Sequence, residues 1–169
     1  MTESETTEAS HTISVYVTNK PGVLARIAQV FARRGFNIDS LVVSPSKDGQ
    51  YSRMTIEAKG SAEGLEQIIL QVGKLIDVMH CTDHSGEESV IREMALIKLG
   101  VDSDTRTEAL QICDHFNCDS VDLSEDSMIV LVTGRTPKID ACVNMLRKFE
   151  VIELVRTGKV LMARGRQVT

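Results

Sequence analysis

The stretch that decides the fold is residues 12–24, which read TISVYVTNKPGVL. Apolar residues stand at every second position of its first half, and this alternation predicts a β-strand over residues 12–18. The proline and glycine that follow end the strand, and the fixed φ angle of Pro21 suits the first turn of an α-helix. The stretch therefore predicts a strand that leads directly into a helix through a tight turn at residues 19–22.

The residues around this turn predict a βαββαβ order for the first half of the chain. The first helix runs to about Arg34 and is followed by a glycine suited to a helix C-cap. Strands are predicted at 38–43, 51–58 and 76–81, and a second amphipathic helix at 65–75. The apolar face of the first helix is expected to consist of Val23, Leu24, Ile27, Val30 and Phe31. This order is typical of a ferredoxin-like α+β sandwich, with two helices on one face of an antiparallel sheet.

The second half of the chain repeats the same order. Its predicted strands and helices are residues 90–99, 105–116 (helix), 120–123, 128–133, 138–148 (helix), 151–155 and 159–163. We therefore predict two tandem ferredoxin-like βαββαβ units, residues 11–83 and 90–169, joined by a polar linker at 84–89. Residues 1–10 are rich in Thr, Ser and Glu and are predicted to be a disordered lead-in.

Composition argues against several classes of protein. The 169-residue chain has a net charge of −5, whereas nucleic-acid binding needs a concentrated basic surface. No apolar run approaches the roughly 20 residues that span a bilayer, and the first ten residues lack the basic and apolar regions of an export signal. The four cysteines are not clustered along the sequence, and we expect free thiols. A cytoplasmic protein with no nucleic-acid or membrane partner is therefore predicted.

Segments that contain Cys and His suggest a metal site, but their spacing argues against one. Structural zinc needs four converging Cys or His ligands. Cys113 lies on the predicted inward face of a helix, and His115 points about 160° away from it on a helix of 3.6 residues per turn. The chain also has no nucleophile elbow, phosphate loop or paired acidic constellation. We therefore assign no metal ligand and no catalytic residue, and we expect all four histidines at the surface: His11, His80, His84 and His115.

The turn at residues 19–22 has features suited to the charged groups of a free amino acid. The first turn of a helix leaves backbone N–H groups without intrahelical acceptors, and its dipole favours a carboxylate. Gly22 lets a ligand approach the backbone, and the carboxamide of Asn19 can accept from an ammonium group and donate to a carboxylate. Val23, Leu24 and Ile38 could line a small apolar pocket. An ordinary turn that starts a helix is the alternative interpretation, and these residues alone leave it open.

Longer motifs resemble one family. In the first half they are Asn19-x-x-Gly22-Val23-Leu24-x-Arg26-Ile27, Gly35-Phe36-Asn37-Ile38-Asp39-Ser40-Leu41, Ser52-Arg53-Met54-Thr55-Ile56 and Leu75-Ile76-Asp77-Val78. In the second half they are Arg92-Glu93-Met94-Ala95-Leu96-Ile97-Lys98 and Arg156-Thr157-Gly158. Together they resemble the small, regulatory subunit of acetolactate synthase (acetohydroxyacid synthase), which begins with an ACT domain. The resemblance covers roughly residues 12–166 and makes residues 11–83 the ACT domain.

The resemblance implies a non-catalytic regulatory subunit. Such subunits activate a separate catalytic subunit, a transferase that converts two pyruvate molecules into 2-acetolactate and CO2. Thiamine diphosphate, Mg and FAD are expected on that catalytic subunit, and no cofactor is expected on this chain. The family also confers feedback inhibition by a branched-chain amino acid, usually valine, in valine, leucine and isoleucine biosynthesis. Two ACT domains form a homodimer and bind the effector between them, which on this chain implies the effector-binding residues Asn19, Gly22, Val23, Leu24, Asn37 and Ile38.

One departure from the family pattern concerns the same turn. Lys20 and Pro21 stand where small or acidic residues are frequent in the family, and the extra cation bears on which amino acid is preferred. Two alternatives from other classes are a free-standing ACT amino-acid sensor and an assembly protein for another enzyme that binds no ligand. A sensor that controls transcription would need a basic helix-turn-helix, and the sequence contains none.

Overall fold

The computed structural model describes residues 9–84, 89–166 and 168–169. These residues form two compact units: the first extends to Val90 and also includes Leu161–Thr169, and the second is Ile91–Val160. In this part of the chain, no helix is long and apolar enough to cross a membrane. The predicted α+β fold of two βαββαβ units is confirmed.

The first unit is a four-stranded antiparallel sheet with two helices. Its elements are β1 (Ala9–Thr18), α1 (Val23–Arg33), β2 (Ile38–Pro45), β3 (Tyr51–Gly60), α2 (Ala62–Val72) and β4 (Val78–Asp83). The strand order is β2-β3-β1-β4, so β1 and β3 occupy the centre. The strand predicted at 76–81 begins two residues later than expected, and Ile76 is 95 % exposed.

The second unit repeats this arrangement. Its elements are β5 (Ser89–Gly100), α3 (Arg106–Phe116), β6 (Asp119–Leu123), β7 (Ser127–Gly134), α4 (Thr136–Leu146) and β8 (Glu150–Arg156). Their strand order is β6-β7-β5-β8. A short strand, β9 (Val160–Ala163), follows β8, and its last three residues group with the first unit. Pro137 lies in the first turn of α4, where a missing N–H costs no intrahelical hydrogen bond.

Each core lies between a sheet and the helices that cover it. The alternating residues Ile13, Val15 and Val17 of β1 are fully buried, as the sequence predicted. On α1, the buried residues are Val23, Ile27 and Phe31. Leu24, which the sequence placed on the buried face, is 40 % exposed, so the apolar face of α1 is narrower than predicted.

The predicted ends of the lead-in and the linker are wrong, and so is the predicted exposure of His84. Ala9 and Ser10 belong to β1 and not to the lead-in, and Ser89 belongs to β5 and not to the linker. Residues 1–8 and 85–88 lie outside the described residues, so the rest of both predictions stays a prediction. His84 is 5 % exposed, and its Nε2 lies 2.7 Å from the Ser14 hydroxyl oxygen, so it is not the surface histidine that was expected.

The C-terminal residues also depart from the predicted division of the chain. Residues 161–169 were assigned to the second unit, but they group with the first. Thr169 is 4 % exposed, and its carbonyl oxygen lies 3.2 Å from Nε2 of His80 on β4. His11 on β1 is also buried, at 8 % exposure, so it is a second histidine that does not lie at the predicted surface position.

Candidate functional site

Asn19 fixes the turn between β1 and α1 to the neighbouring hairpin. Its backbone N–H donates to the Gln50 carbonyl over 2.8 Å, and its side-chain Nδ2 donates to the Gly49 carbonyl over 3.1 Å. The sequence suggested that this carboxamide could both donate to and accept from a ligand. Because its nitrogen holds the hairpin, the oxygen Oδ1 is the atom that a ligand can use, and that oxygen can accept from an ammonium group.

Gly22 gives the turn the shape that opens the start of α1. Its φ of +83° and ψ of −10° lie in the left-handed region, which glycine adopts without strain. Its carbonyl accepts the first helical hydrogen bond, from the N–H of Arg26 over 3.1 Å. The N–H groups of Leu24 and Ala25 precede this bond and therefore have no intrahelical acceptor. The position suits an anion, because these donors and the helix dipole both favour negative charge.

An ion pair beneath the turn supports the start of α1. Asp77, just before β4, is 8 % exposed and accepts from the Thr18 hydroxyl over 2.9 Å and from Nη2 of Arg26. The Thr18 N–H also donates to the Asp77 carbonyl over 2.8 Å. The hydrogen bond from Thr18 and the neighbouring Arg26 hold the pKa of Asp77 below its ordinary value. The carboxylate therefore stays ionised and keeps the Arg26 guanidinium beside the turn.

The Arg26 guanidinium lies close enough to Gly22 to attract an anionic group bound there. A Cβ atom built on Gly22 would lie 3.6 Å from Nη1 of Arg26. Sequence reasoning included Arg26 and Asp77 in the family motifs but gave neither a role. The signal was weak because the two residues are 51 positions apart, and only the pairing of β1 with β4 brings them together.

The six predicted site residues divide into two groups that one chain does not bring together. The first group is the turn, where Val23 is buried and Leu24 is partly exposed. The second group is Asn37 and Ile38, at the start of β2. Thr18 pairs with Tyr51, and Ile38 pairs with Ala58 seven residues further along β3. At about 3.3 Å per residue, the two groups lie about 23 Å apart at opposite ends of the sheet.

Asn37, in the second group, borders a cleft of about 670 Å³. Asn37 donates from Nδ2 to Oδ1 of Asp39 over 2.9 Å, and Nζ of Lys59 lies 3.2 Å from the other Asp39 oxygen. The hydrogen bond from Asn37, together with Lys59, lowers the pKa of Asp39. The amide nitrogen of Asn37 is therefore engaged within the chain, and the exposed residue presents its oxygen to the surroundings.

Phe36 anchors the chain just before Asn37. Its ring lies against Gly60 and Gly64, where a Cβ atom would come within 2.0 Å and 2.6 Å of ring carbons. Only glycine leaves room for the ring in this position. Sequence reasoning missed both glycines, although their place at the end of β3 and the start of α2 is a usable signal.

The described residues contain no group of three or more His, Cys, Asp or Glu side chains arranged to hold a metal ion. Cys113 is 2 % exposed on α3, whereas His115 is exposed on the same helix, as their spacing predicted. Three of the four cysteines do approach one another in the second unit, however. The Sγ atoms of Cys118 and Cys142 are 3.6 Å apart, which the separation of these residues along the chain did not reveal.

Comparisons with known proteins agree along both halves of the chain. Residues 13–80 match the family model of the AHAS small subunit-like ACT domain, and residues 92–165 match that of the small subunit of acetolactate synthase. The acetolactate synthase small subunits of Mycobacterium bovis and Mycolicibacterium smegmatis are 41 % and 40 % identical over 156 residues. These matches cover 92 % of this chain and 93 % and 92 % of the relatives. The crystal structure of the Thermotoga maritima small subunit is similar with a TM-score of 0.83 and 40 % identity, over 94 % of this chain and 99 % of that one.

Proposed function

Because the chain belongs to the family of acetolactate synthase small subunits, we propose that it activates a separate catalytic subunit and makes it sensitive to a branched-chain amino acid. The catalytic subunit would convert two pyruvate molecules into 2-acetolactate and CO2, and would carry thiamine diphosphate, Mg and FAD. This chain would supply no catalytic group. We place the complex in the cytoplasm, in valine, leucine and isoleucine biosynthesis.

The observation that supports an effector site between two copies of the chain is the distance between the two groups of predicted site residues. The turn at Asn19 and Gly22 lies about 23 Å from Asn37 and Ile38 in one chain, which exceeds the reach of a single amino acid. A homodimer solves this problem if the turn of one copy faces the start of β2 of the other. Each effector would then contact both copies, and binding would depend on how the copies are placed.

Each group of the proposed site suits one part of the effector. The carboxylate would bind at the start of α1, where N–H donors, the helix dipole and Arg26 all favour an anion. The ammonium group would donate to Oδ1 of Asn19. The apolar side chain would lie against the exposed part of Leu24 and against Ile38 of the second copy. Valine is the proposed effector, with leucine and isoleucine as the alternatives.

The proposed regulation is a shift between two arrangements of the dimer. One arrangement docks on the catalytic subunit and favours its active state, and the effector favours another that does not. By thermodynamic linkage, the catalytic subunit must then weaken effector binding by the same factor by which the effector weakens docking. This reciprocity distinguishes regulation through the dimer from competition at the catalytic site.

A reconstitution assay tests the assignment. The chain is added in increasing amounts to the catalytic subunit encoded by the same organism, and acetolactate formation is measured with and without valine, leucine and isoleucine. We expect turnover to rise several-fold and at least one amino acid to reverse the rise. An unchanged turnover would refute the assignment as an activating subunit.

One contact supports a second candidate, an assembly protein that has lost ligand binding. The amide nitrogen of Asn19 already donates to Gly49, so this residue also has a purely structural use. Calorimetric titration of the chain with the three amino acids separates the two candidates. Heat from at least one favours the effector site, whereas activation without any heat or inhibition favours the assembly role. A free-standing sensor is disfavoured because residues 92–165 match a family model that describes the small subunit of acetolactate synthase.

A further inference from the structure

Three cysteines meet in the second unit, where α3 and α4 pack together. Cys113 on α3 and Cys142 on α4 are buried, with 2 % and 0 % of their surface exposed. Cys118 follows α3 and is only half-buried. It returns toward the helix because Asn117 has a φ of +51°, and the Cys118 N–H donates to the Cys113 carbonyl over 2.8 Å. The three thiols therefore differ in access to solvent although they share one site.

The separation of two of these sulfur atoms suits bond formation. Sγ of Cys118 lies 3.6 Å from Sγ of Cys142, and a disulfide needs about 2.05 Å, so an approach of about 1.5 Å suffices. Cys142 lies on a helix that is well packed in the core, whereas Cys118 lies beyond the end of α3. The half-buried residue is therefore the one with more freedom to move.

The surroundings also favour a thiolate at Cys118. Hydrogen bonds from Cys113 and Cys142, together with the nearby charge of Lys138, lower the pKa of Cys118 to about 4. The same hydrogen bonds raise the pKa of the other two thiols. Cys81, in the first unit, provides a contrast, since burial and Asp83 raise its pKa to about 12. Reaction with an oxidant requires the thiolate, so the two sites should differ strongly in reactivity.

We propose that Cys118 is a peroxide-reactive cysteine and that Cys142 resolves its oxidised form as an intrachain disulfide. The Cys118 thiolate attacks one oxygen of hydrogen peroxide, the O–O bond breaks, and a sulfenic acid and hydroxide form. The Cys142 sulfur then attacks the Cys118 sulfur, the S–O bond breaks, and the departing hydroxide takes the Cys142 proton to form water. Two thiols lose two hydrogen atoms in total, and one peroxide is reduced to two water molecules.

The first step prepares the second. Before oxidation, the negative charge and hydrogen bonding of Cys118 hold the Cys142 thiol in its protonated form. The sulfenic acid is neutral, so the part of this effect that comes from the Cys118 charge is lost on oxidation, whereas burial still raises the pKa of Cys142. In a reducing cytoplasm such a disulfide would be transient, as redox-sensing disulfides in that compartment usually are.

Peptide mapping of the full chain tests the proposal without any substitution. The reduced protein is treated with equimolar hydrogen peroxide, free thiols are blocked with N-ethylmaleimide, and trypsin is applied without reductant. A bond to Cys142 joins the tryptic peptide of residues 107–135 to that of residues 139–147, reductant separates them, and fragment ions of the joined peptides are expected to place the bond at Cys118 and not at Cys113. A bond between Cys113 and Cys118 would instead stay within residues 107–135 and would overturn the assignment of Cys142. Failure to form either bond would overturn the proposal.

Variants separate the two roles. In Cys142→Ala, we expect oxidation to stop at the sulfenic acid of Cys118, which dimedone labels at least about tenfold faster than Cys81. Cys118→Ala should give no cross-linked peptide, whereas Cys113→Ala should still give it. Each variant is compared with the wild-type chain by thermal melting, so that loss of the cross-link is read only in folded protein. Equal labelling of Cys81 and Cys118 would refute the reactive role of Cys118.

Discussion

Introducing a charge at Gly22 tests whether the start of α1 receives the carboxylate of an amino acid. Gly22 has a φ of +83°, a left-handed conformation that Asn and Asp tolerate better than other side chains. A Cβ atom there would lie 3.6 Å from Nη1 of Arg26, which is an ordinary contact. Gly22→Asp and Gly22→Asn therefore carry a similar backbone strain of about 1 kcal/mol and differ mainly in charge.

The size of the charge effect follows from the exposure of the turn. Two like charges about 4 Å apart repel by about 1 kcal/mol in water and by about 4 kcal/mol at an effective dielectric constant near 20. Asn19 and Gly22 are exposed, so a value near the lower limit applies. A repulsion of about 1–2 kcal/mol corresponds to an effector affinity about 5- to 30-fold weaker in Gly22→Asp than in Gly22→Asn.

The assay measures acetolactate formation by the reconstituted complex over a range of valine concentrations. We expect the half-inhibitory concentration to rise from the wild type to Gly22→Asn and to rise further in Gly22→Asp. Gly165→Asp is the matched control, because Gly165 also has a left-handed φ of +68°, has nothing within 4 Å of its Cβ position, and lies outside the proposed site. Equal half-inhibitory concentrations for the Asp and Asn variants of Gly22 would refute carboxylate binding at this turn.

Three other substitutions test contacts that hold the two units in shape. Because the pKa of Asp77 is lowered, its ion pair stabilises the fold above about pH 4, and this stability is lost as the pH falls through the folded pKa. We therefore expect the free energy of unfolding of Asp77→Asn, measured in urea, to depend less on pH in acid than that of the wild type. Gly60→Ala places a Cβ 2.0 Å from the Phe36 ring, and we expect the free energy of unfolding to fall by about 1–3 kcal/mol, measured in the same way. Glu93→Gln weakens the two hydrogen bonds from Arg156, of 2.6 and 3.1 Å. Because the Glu93 side chain is only 5 % exposed, we expect this substitution to lower the free energy of unfolding by about 2 kcal/mol. An unchanged urea midpoint in either of the last two variants would contradict the corresponding contact.

The order of strands and helices could be predicted from local patterns. Alternating apolar residues mark β1, and the proline and glycine after it mark the start of α1, so the βαββαβ order needs only short-range information. The predicted ends of helices and strands are less accurate where the residues that could end an element allow more than one position. The helix predicted at 138–148 is Thr136–Leu146, because its proline occupies the first turn and does not stand before the helix.

The parts of the site that the sequence did not predict depend on contacts between distant residues. Arg26 meets Asp77 only because β4 pairs with β1, and Cys118 meets Cys142 only because α3 packs on α4. His84 was expected at the surface because its neighbours in the sequence are polar. Its partner, Ser14, lies 70 positions away, and no local pattern reveals it.

Asn19 and Asn37 lie near opposite ends of the neighbouring strand β3, and this separation has a genetic consequence. If each effector lies between the turn of one copy and the start of β2 of the other, a symmetric dimer holds two equivalent sites. A chain altered at Gly22 and a chain altered at Asn37 would each be insensitive to the effector alone. Mixed together, they would form dimers in which one site carries both defects and the other carries neither. Two defective alleles expressed in one cell would therefore complement each other and restore one of the two feedback sites in every mixed dimer.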